Sequence, residues 1–284
     1  MTSIRNTAKA LALLLSLTAP AAVAAHAAEP AIPLFWDIKE RLPKPDLTKL
    51  PRLRFLTTID FPPFNHLDGS GRLSGFHVDL ARAICAELEI MPKCQIQALP
   101  WGELDKAMQE KQGEAIIAGL AVTAENRARY DFSRPYLKFP ARFVTPRAKS
   151  LTEPLFDKLP GQRIGVMAGS AHERMLRSYF PDTKAVTYSR QDWMLQDLKD
   201  GKLAGVFGDG MRLAFWLAGT DSAGCCRFSG GPYLSTEYLG NGLAVATEHG
   251  NAELAAALDY ALQQIATKGT FAELYLRYFP VSFY

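Results

Sequence analysis

The chain has 284 residues, with 32 Lys plus Arg against 29 Asp plus Glu and 48% hydrophobic residues. A charge balance this close to neutral, without a basic cluster, excludes a nucleic-acid-binding surface. No apolar run past the first 27 residues approaches the roughly 20 residues of a bilayer-spanning helix, so the body of the chain reads as not embedded in a membrane.

Met1 to about Ala27 has a short basic start (Arg5, Lys9), an apolar run around Ala10 to Leu17 and small residues in Ala25-His-Ala27. This is the pattern of a cleaved secretory signal. Ser16, Thr18 and Pro20 interrupt the run, which argues against an anchor, and no Cys lies near the cleavage point to take a lipid. Cleavage leaves 30 Lys plus Arg against 29 Asp plus Glu, on about 257 residues, enough for two compact lobes. Residues 28–51 form a Pro-rich leader, with Pro30, Pro33, Pro43, Pro45 and Pro51. Its Leu34-Phe35-Trp36 patch is too apolar for a pure linker; packing on a lobe surface is expected, with a partner contact as the alternative.

Strands and helices then alternate. Leu53 to Thr58 reads as a strand ended by Pro62-Pro63, and Asp68-Gly-Ser-Gly71 as a turn. Phe76 to Leu88 puts Phe76, Leu80, Ile84 and Leu88 on one helical face. Gln95 to Leu99 is a predicted strand, Glu103 to Lys111 a helix and Ala115 to Gly119 a strand. The second half repeats the pattern: strand Arg163 to Met167, helix Ser170 to Tyr179 with a capping box in Ser170-Ala-His-Glu173, strand Ala185 to Tyr188, helix Asp192 to Asp200 and strand Gly205 to Gly208. Ala252 to Ile265 and Phe271 to Tyr278 are amphipathic helices separated by Gly269. Such alternation predicts α/β lobes with largely parallel sheets covered on both faces.

Chemistry-bearing motifs are few. The five His are scattered, His172-Glu173 lacks the second His of a zinc helix, and there is neither a Gly-x-Ser-x-Gly elbow nor a phosphate loop. No metal, no cofactor and no catalytic residue are expected. An oxidising compartment makes the four Cys candidates for disulfides. Cys85 and Cys94 bracket a helix end and the next strand, a spacing that can bring their backbones together. Cys225 and Cys226 are adjacent, and a vicinal disulfide, reduced thiols and other partners all stay open.

Three blocks carry a family resemblance: Arg54-Phe-Leu-Thr-Thr-Ile-Asp-Phe-Pro-Pro-Phe64, Gly75-Phe-His-Val-Asp-Leu80 and Asp131-Phe-Ser-Arg-Pro-Tyr136. In that order and spacing the chain resembles family 3 of the extracellular solute-binding proteins, which includes the amino-acid receptors of bacterial ABC transporters. Gly161 to Ser170, Gly205 to Asp209 and Gly230 to Pro280 extend the likeness over nearly all of the mature chain. The resemblance implies a two-lobed type II periplasmic binding fold with residues 52–138 plus 238–284 in one lobe and 139–237 in the other. Two crossings, near Lys138 to Ala141 and Thr236 to Leu239, would form the hinge. It also implies the Cys85–Cys94 bridge that histidine and lysine/arginine/ornithine receptors carry at this place.

The function implied is capture of a small polar solute in the periplasm, for an ABC permease of the inner membrane, by a monomer without chemistry. The family's ligand positions fall on Thr58, Phe61, Trp101, Gly119, Ala121, Asn126, Arg127, Ser170 and Asp209. Phe61 and Trp101 would cover the solute, or serve as core aromatics. Asp209 would hold an ammonium group, or cap a helix. Ser170 would help hold an anion at a helix N-terminus, or merely cap it. The chain departs from the family at Ala121, where a hydroxyl residue is usual, and at Asn126, where an arginine clamps the α-carboxylate; Arg127 is one step, about 100°, around the helix. His77 stands where the family prefers an acid, and is expected to alter surface charge more than recognition. Two alternatives come with the fold. One is an accessory module of a periplasmic quinoprotein dehydrogenase, and the other is a cyclohexadienyl-dehydratase-like enzyme, against which Gly210-Met211-Arg212 argues by lacking the enzyme's acid.

Overall fold

A computed structural model describes residues 31–284 except Ile38, Ser150, Thr152 and Glu153; the predicted signal segment lies outside the described residues. The first unit opens with β1 (Leu53–Thr57), a small three-stranded sheet of β2 (Asp60–Phe61), β3 (Asn65–Leu67) and β4 (Leu73–Ser74), and helix α1 (Phe76–Glu87). It continues through β5 (Cys94–Ala98), α2 (Leu104–Gln109), β6 (Ala115–Ile116), the short α3 (Ala124–Arg127) and β7 (Tyr130–Phe132). The chain then crosses to β8 (Ala141–Pro146), β9 (Arg163–Met167), α4 (Ala171–Tyr179), β10 (Lys184–Tyr188), α5 (Gln191–Lys199), β11 (Gly205–Asp209), α6 (Gly210–Ala218) and β12 (Cys226–Tyr233). It returns through α7 (Thr236–Leu239) to β13 (Ala246–Glu248), and ends in α8 (Ala252–Thr267) and α9 (Thr270–Tyr278).

Two five-stranded sheets result among the described residues, in the orders β5-β1-β6-β13-β7 and β10-β9-β11-β8-β12. The strand orders are equivalent. In each, the first three strands run parallel, and the fourth, which is the first to enter after a crossing, runs antiparallel to its neighbours. Each sheet is therefore evenly mixed, where simple alternation predicts mostly parallel pairing. The reason is topological: β8 and β13 arrive from the other unit, not through a crossover helix on the same sheet, so nothing imposes a parallel direction on them.

Helices cover both faces of both sheets. On the first, Phe55, Leu80, Ile84, Leu258, Leu262 and Tyr275 belong to one buried cluster, while Leu56, Leu104, Met108 and Ile116 form another on the opposite face. On the second, Phe143, Ile164, Met175 and Phe207 lie on one side, and Val144, Leu195, Leu198 and Leu213 on the other. The leader adds to the first cluster. Trp36 is 6% exposed and lies beneath the Arg134 guanidinium, 5.2 Å from ring centre to Cζ, while Arg134 grips Glu40 with two bonds of 2.6 and 2.8 Å. Of the two readings of Leu34-Phe35-Trp36, surface packing is the one that the burial of Trp36 supports.

The crossings touch. Leu137 and Leu243 pair as antiparallel neighbours, with Leu243 N donating to Leu137 O at 2.7 Å. Gly242 (φ +91°) makes this possible, since a Cβ there would lie 2.5 Å from the same carbonyl oxygen. Cys85 and Cys94 are disulfide-paired with Cα atoms 6.2 Å apart, and Cys225 and Cys226 form a vicinal pair.

Candidate functional site

The candidate residues gather at the C-terminal ends of the parallel strands, the edge at which open α/β sheets bind ligands. Thr58 follows β1, Gly119 follows β6, Ser170 follows β9 and Asp209 ends β11. Phe61 and Gly119 meet directly: a Cβ on Gly119 would stand 2.8 Å from Phe61 Cε1. Phe61 is half-buried and stacks on Phe64 at 4.7 Å, so the ring is both backed by the core and presented at the edge. Trp101 is 50% exposed, and no ring contact joins it to Phe61 among the described residues.

The loop from Ala121 to Arg129 closes on itself. Thr123 caps α3 by accepting from Asn126 N at 3.1 Å, Asn126 Nδ2 donates to Ala121 O at 2.8 Å, and Asn126 Oδ1 accepts from Arg129 Nη2 at 2.6 Å. Position 126, where the resemblance implies the family's carboxylate clamp, is thus occupied by a side chain whose carbonyl oxygen and one of whose amide protons are engaged within its own turn. The Arg127 guanidinium lies 5.9 Å over Phe132, which packs against the cluster under α2.

On the second unit, Ser170 caps α4. Its hydroxyl donates to Met167 O at 2.7 Å and accepts from Glu173 N at 3.1 Å, while Glu173 Oε2 accepts from Gly169 N, one residue earlier than a standard capping box would place it. Asp209 caps α6 through one oxygen, Oδ1, which accepts from Arg212 N at 2.8 Å. His172, in the first turn of α4, adds a group that sequence reasoning left out of the site. Burial pushes its imidazole below its ordinary pKa, and the Asp209 carboxylate pulls the other way. His172, Asp209 and Arg212 therefore lie near enough to influence one another's charge.

His77 requires a correction. It does not modify surface charge, because its side chain is fully buried. Nδ1 lies 2.8 Å from Asn65 Oδ1, Nε2 lies 2.8 Å from Tyr136 Oη, and Asn65 Nδ2 donates to Thr58 Oγ1 at 2.6 Å. The physical cause is the close approach of the α1 N-terminus to β3: His77 N bonds Phe64 O at 2.8 Å, and a Cβ on Gly75 would lie 2.3 Å from that same oxygen. Position 77 is held inward as a result. Burial drives the imidazole pKa down to about 3 and pushes the Tyr136 hydroxyl well above its ordinary range. Of these four residues only Thr58 was a candidate from sequence; Tyr136 stood in a motif block, His77 was marked as a departure, and Asn65 carried no signal.

Two mixed sheets of equivalent order, joined by paired crossings and presenting an aromatic and a carboxylate at their strand ends, define a bilobal solute-binding protein. The chain belongs to the bacterial extracellular solute-binding proteins, family 3, whose profile matches residues 53–281. It is 28% identical to the ABC transporter arginine-binding protein 1 of Escherichia coli (strain K12), over 81% of this chain and 91% of that protein. It is 29% identical to the L-arginine-binding protein of Pseudomonas aeruginosa, over 79% of this chain and 86% of that one. Among solved structures, an ancestral cyclohexadienyl dehydratase aligns with a TM-score of 0.67 and 21% identity, covering 82% of this chain and 94% of that one, which is a likeness of fold.

Proposed function

We propose that this protein captures a small solute bearing a cationic nitrogen, an amino acid or related compound, and delivers it to an ABC permease as a periplasmic monomer. Family membership supplies the class. The observation that carries the ligand reading is the contrast between two anchors. Asp209 stands at a strand end, where a carboxylate recognises an ammonium group, whereas the Asn126 amide is engaged with Ala121 and Arg129. The solute is therefore gripped through its cation, and position 126 offers no guanidinium fork for its carboxylate. Residues 52–138 with 238–284 act as one lobe and 139–237 as the other. Rotation about the paired crossings closes Phe61 and Asp209 over the solute, and ligand contacts to both lobes favour the closed form.

Capture proceeds without chemistry in this reading. Asp209 is followed by Gly210-Met211-Arg212, which supplies no acid for dehydration. The burial of Trp36 also weakens one support for the accessory-module alternative, because this aromatic of the leader packs in the core, while Leu34 in the same patch is 50% exposed. The test is a thermal-shift screen of the mature protein against amino acids, opines, amines and organic acids. Binding stabilises by RT ln(1 + [L]/Kd), so a true ligand at 100 times its Kd contributes about 2.7 kcal/mol. A flat response across the whole panel refutes the receptor reading.

A further inference from the structure

We propose that the buried chain Tyr136–His77–Asn65–Thr58 fixes Thr58 as a hydrogen-bond donor to the solute, so that the bound molecule presents a carbonyl or carboxylate oxygen there and not a cationic N–H. The inference rests on the solute-binding reading of this strand edge, and it adds the chemistry of a second ligand group, opposite in character to the cation held by Asp209.

All four side chains are at most 2% exposed, and three contacts of 2.6 to 2.8 Å join them in series. Buried in an apolar cluster, His77 is neutral and carries one ring proton, so it donates through one nitrogen and accepts through the other. Only two polarities then satisfy every link. In the first, Tyr136 O–H donates to His77 Nε2, His77 Nδ1–H donates to Asn65 Oδ1, and Asn65 Nδ2 donates to Thr58 Oγ1. In the second, each arrow reverses.

Each polarity leaves one hydroxyl proton over, and the two differ in where it falls. The reversed chain strands the proton of Tyr136, which lies in the cluster with Phe76 and Leu137, and nothing else among the described residues accepts it. A buried hydroxyl donor left without a partner is strongly disfavoured. The forward chain leaves the proton of Thr58, immediately beyond the C-terminal end of β1 and at the edge where Phe61 and Gly119 meet. There a solute oxygen can accept it. The forward polarity is the one the side chains take up, with Asn65 Oδ1 toward His77 and Asn65 Nδ2 toward Thr58. Thr58 is as buried as Tyr136, at 2% exposed, but it stands at the strand end where a solute can complete the chain, and His77 acts as a positioning residue for Thr58. An acid at position 77, the residue type the family prefers, could only accept. It would draw the Asn65 amide donor to itself, turn Asn65 Oδ1 toward Thr58 and consume the Thr58 proton, leaving only lone pairs for the ligand.

The first measurement needs no ligand. With ¹⁵N-histidine labelling, and His77 assigned by its loss in His77→Gln, long-range proton–nitrogen correlation reads the tautomer at neutral pH. Protonated Nδ1 with bare Nε2 is expected; the Nε2–H tautomer or an imidazolium overturns the relay. The second measurement titrates L-arginine and agmatine by calorimetry, since both carry a guanidinium but only arginine carries an oxygen that can accept from Thr58. Arginine is expected to bind about tenfold more tightly; the preference disappears in Thr58→Val, survives in Thr58→Ser and inverts in His77→Asp. Equal preferences in wild type and Thr58→Val overturn the proposal. If neither solute binds, that counts against this ligand class and hence against the proposal's solute, while the nitrogen spectrum still decides the polarity of the relay. A failure of the relay and a failure of the receptor reading are thereby told apart.

Discussion

Lowering the pH from 7.5 to 5.0 is expected to cost the folded protein about 2 kcal/mol through His77 alone. The imidazole is fully buried, and burial holds its pKa at about 3, whereas in an unfolded chain a histidine titrates near 6.5. Between those values the unfolded state binds one proton more than the folded state, so stability rises with pH at about 1.4 kcal/mol per unit. The contribution is whole above the unfolded value and is lost progressively as pH falls below it. At pH 5.0, about one and a half units below, the loss is about 2 kcal/mol. Urea unfolding followed by tryptophan fluorescence at the two pH values, for wild type and His77→Gln, isolates the term, because glutamine offers an amide donor and acceptor and gains no proton. His172 has the same sign, its pKa lowered by burial against the pull of Asp209, and it is common to both proteins. If the variant loses as much stability as wild type between pH 7.5 and 5.0, His77 is not held neutral in the fold, and the burial reasoning fails.

Asp209→Asn preserves the α6 cap, since Asn caps about as well as Asp, and removes the charge; affinity for a cationic solute is expected to fall more than tenfold in calorimetry with little change in melting temperature. Asn126→Ala, by contrast, leaves that affinity within about threefold, because the Asn126 amide is engaged with Ala121 and Arg129. Gly119→Ala drives a methyl into Phe61 and places a side chain at φ +86°, so solute binding weakens by more than stability does when the two are measured on the same preparation. Removing the Cys85–Cys94 bridge by Cys85→Ser, which opens a loop of sequence separation 9, costs about 2 to 3 kcal/mol in denaturant unfolding. Trp36→Ala removes a buried indole from the first unit and costs about 3 kcal/mol by the same assay.

Local patterning made most of the elements legible. The apolar face of Phe76, Leu80, Ile84 and Leu88 announces α1, and Ser170 with Glu173 announces the start of α4. The mixed sheets were not legible, because strand direction after a crossing depends on which unit the chain enters, and no periodicity encodes that. Ala121 and Asn126 could be marked as departures from a motif, but the closure of that turn by Asn126 rests on hydrogen bonds over five residues that composition does not specify. His77 was the sharpest failure. A histidine in the first turn of a helix looks solvated in one dimension, and only the approach of β3 to Gly75 turns it inward. Asn65 then becomes its partner through a hairpin contact that the sequence alone gave no reason to single out.

The bond between Leu137 and Leu243 means that residues 138–242 leave and re-enter the first unit at the same point. Topologically the second unit is an excursion from one clasp, and α6 packs back onto the first unit, with Ala214 in its buried cluster and the Phe215 ring 6.2 Å from that of Phe279. A short turn spliced between these leucines would preserve β7 and β13 as neighbours. A relative's unit mounted on this base would have to reproduce the α6 contact, including the Gly210 position, where a Cβ would stand 3.4 Å from Phe283 Cβ.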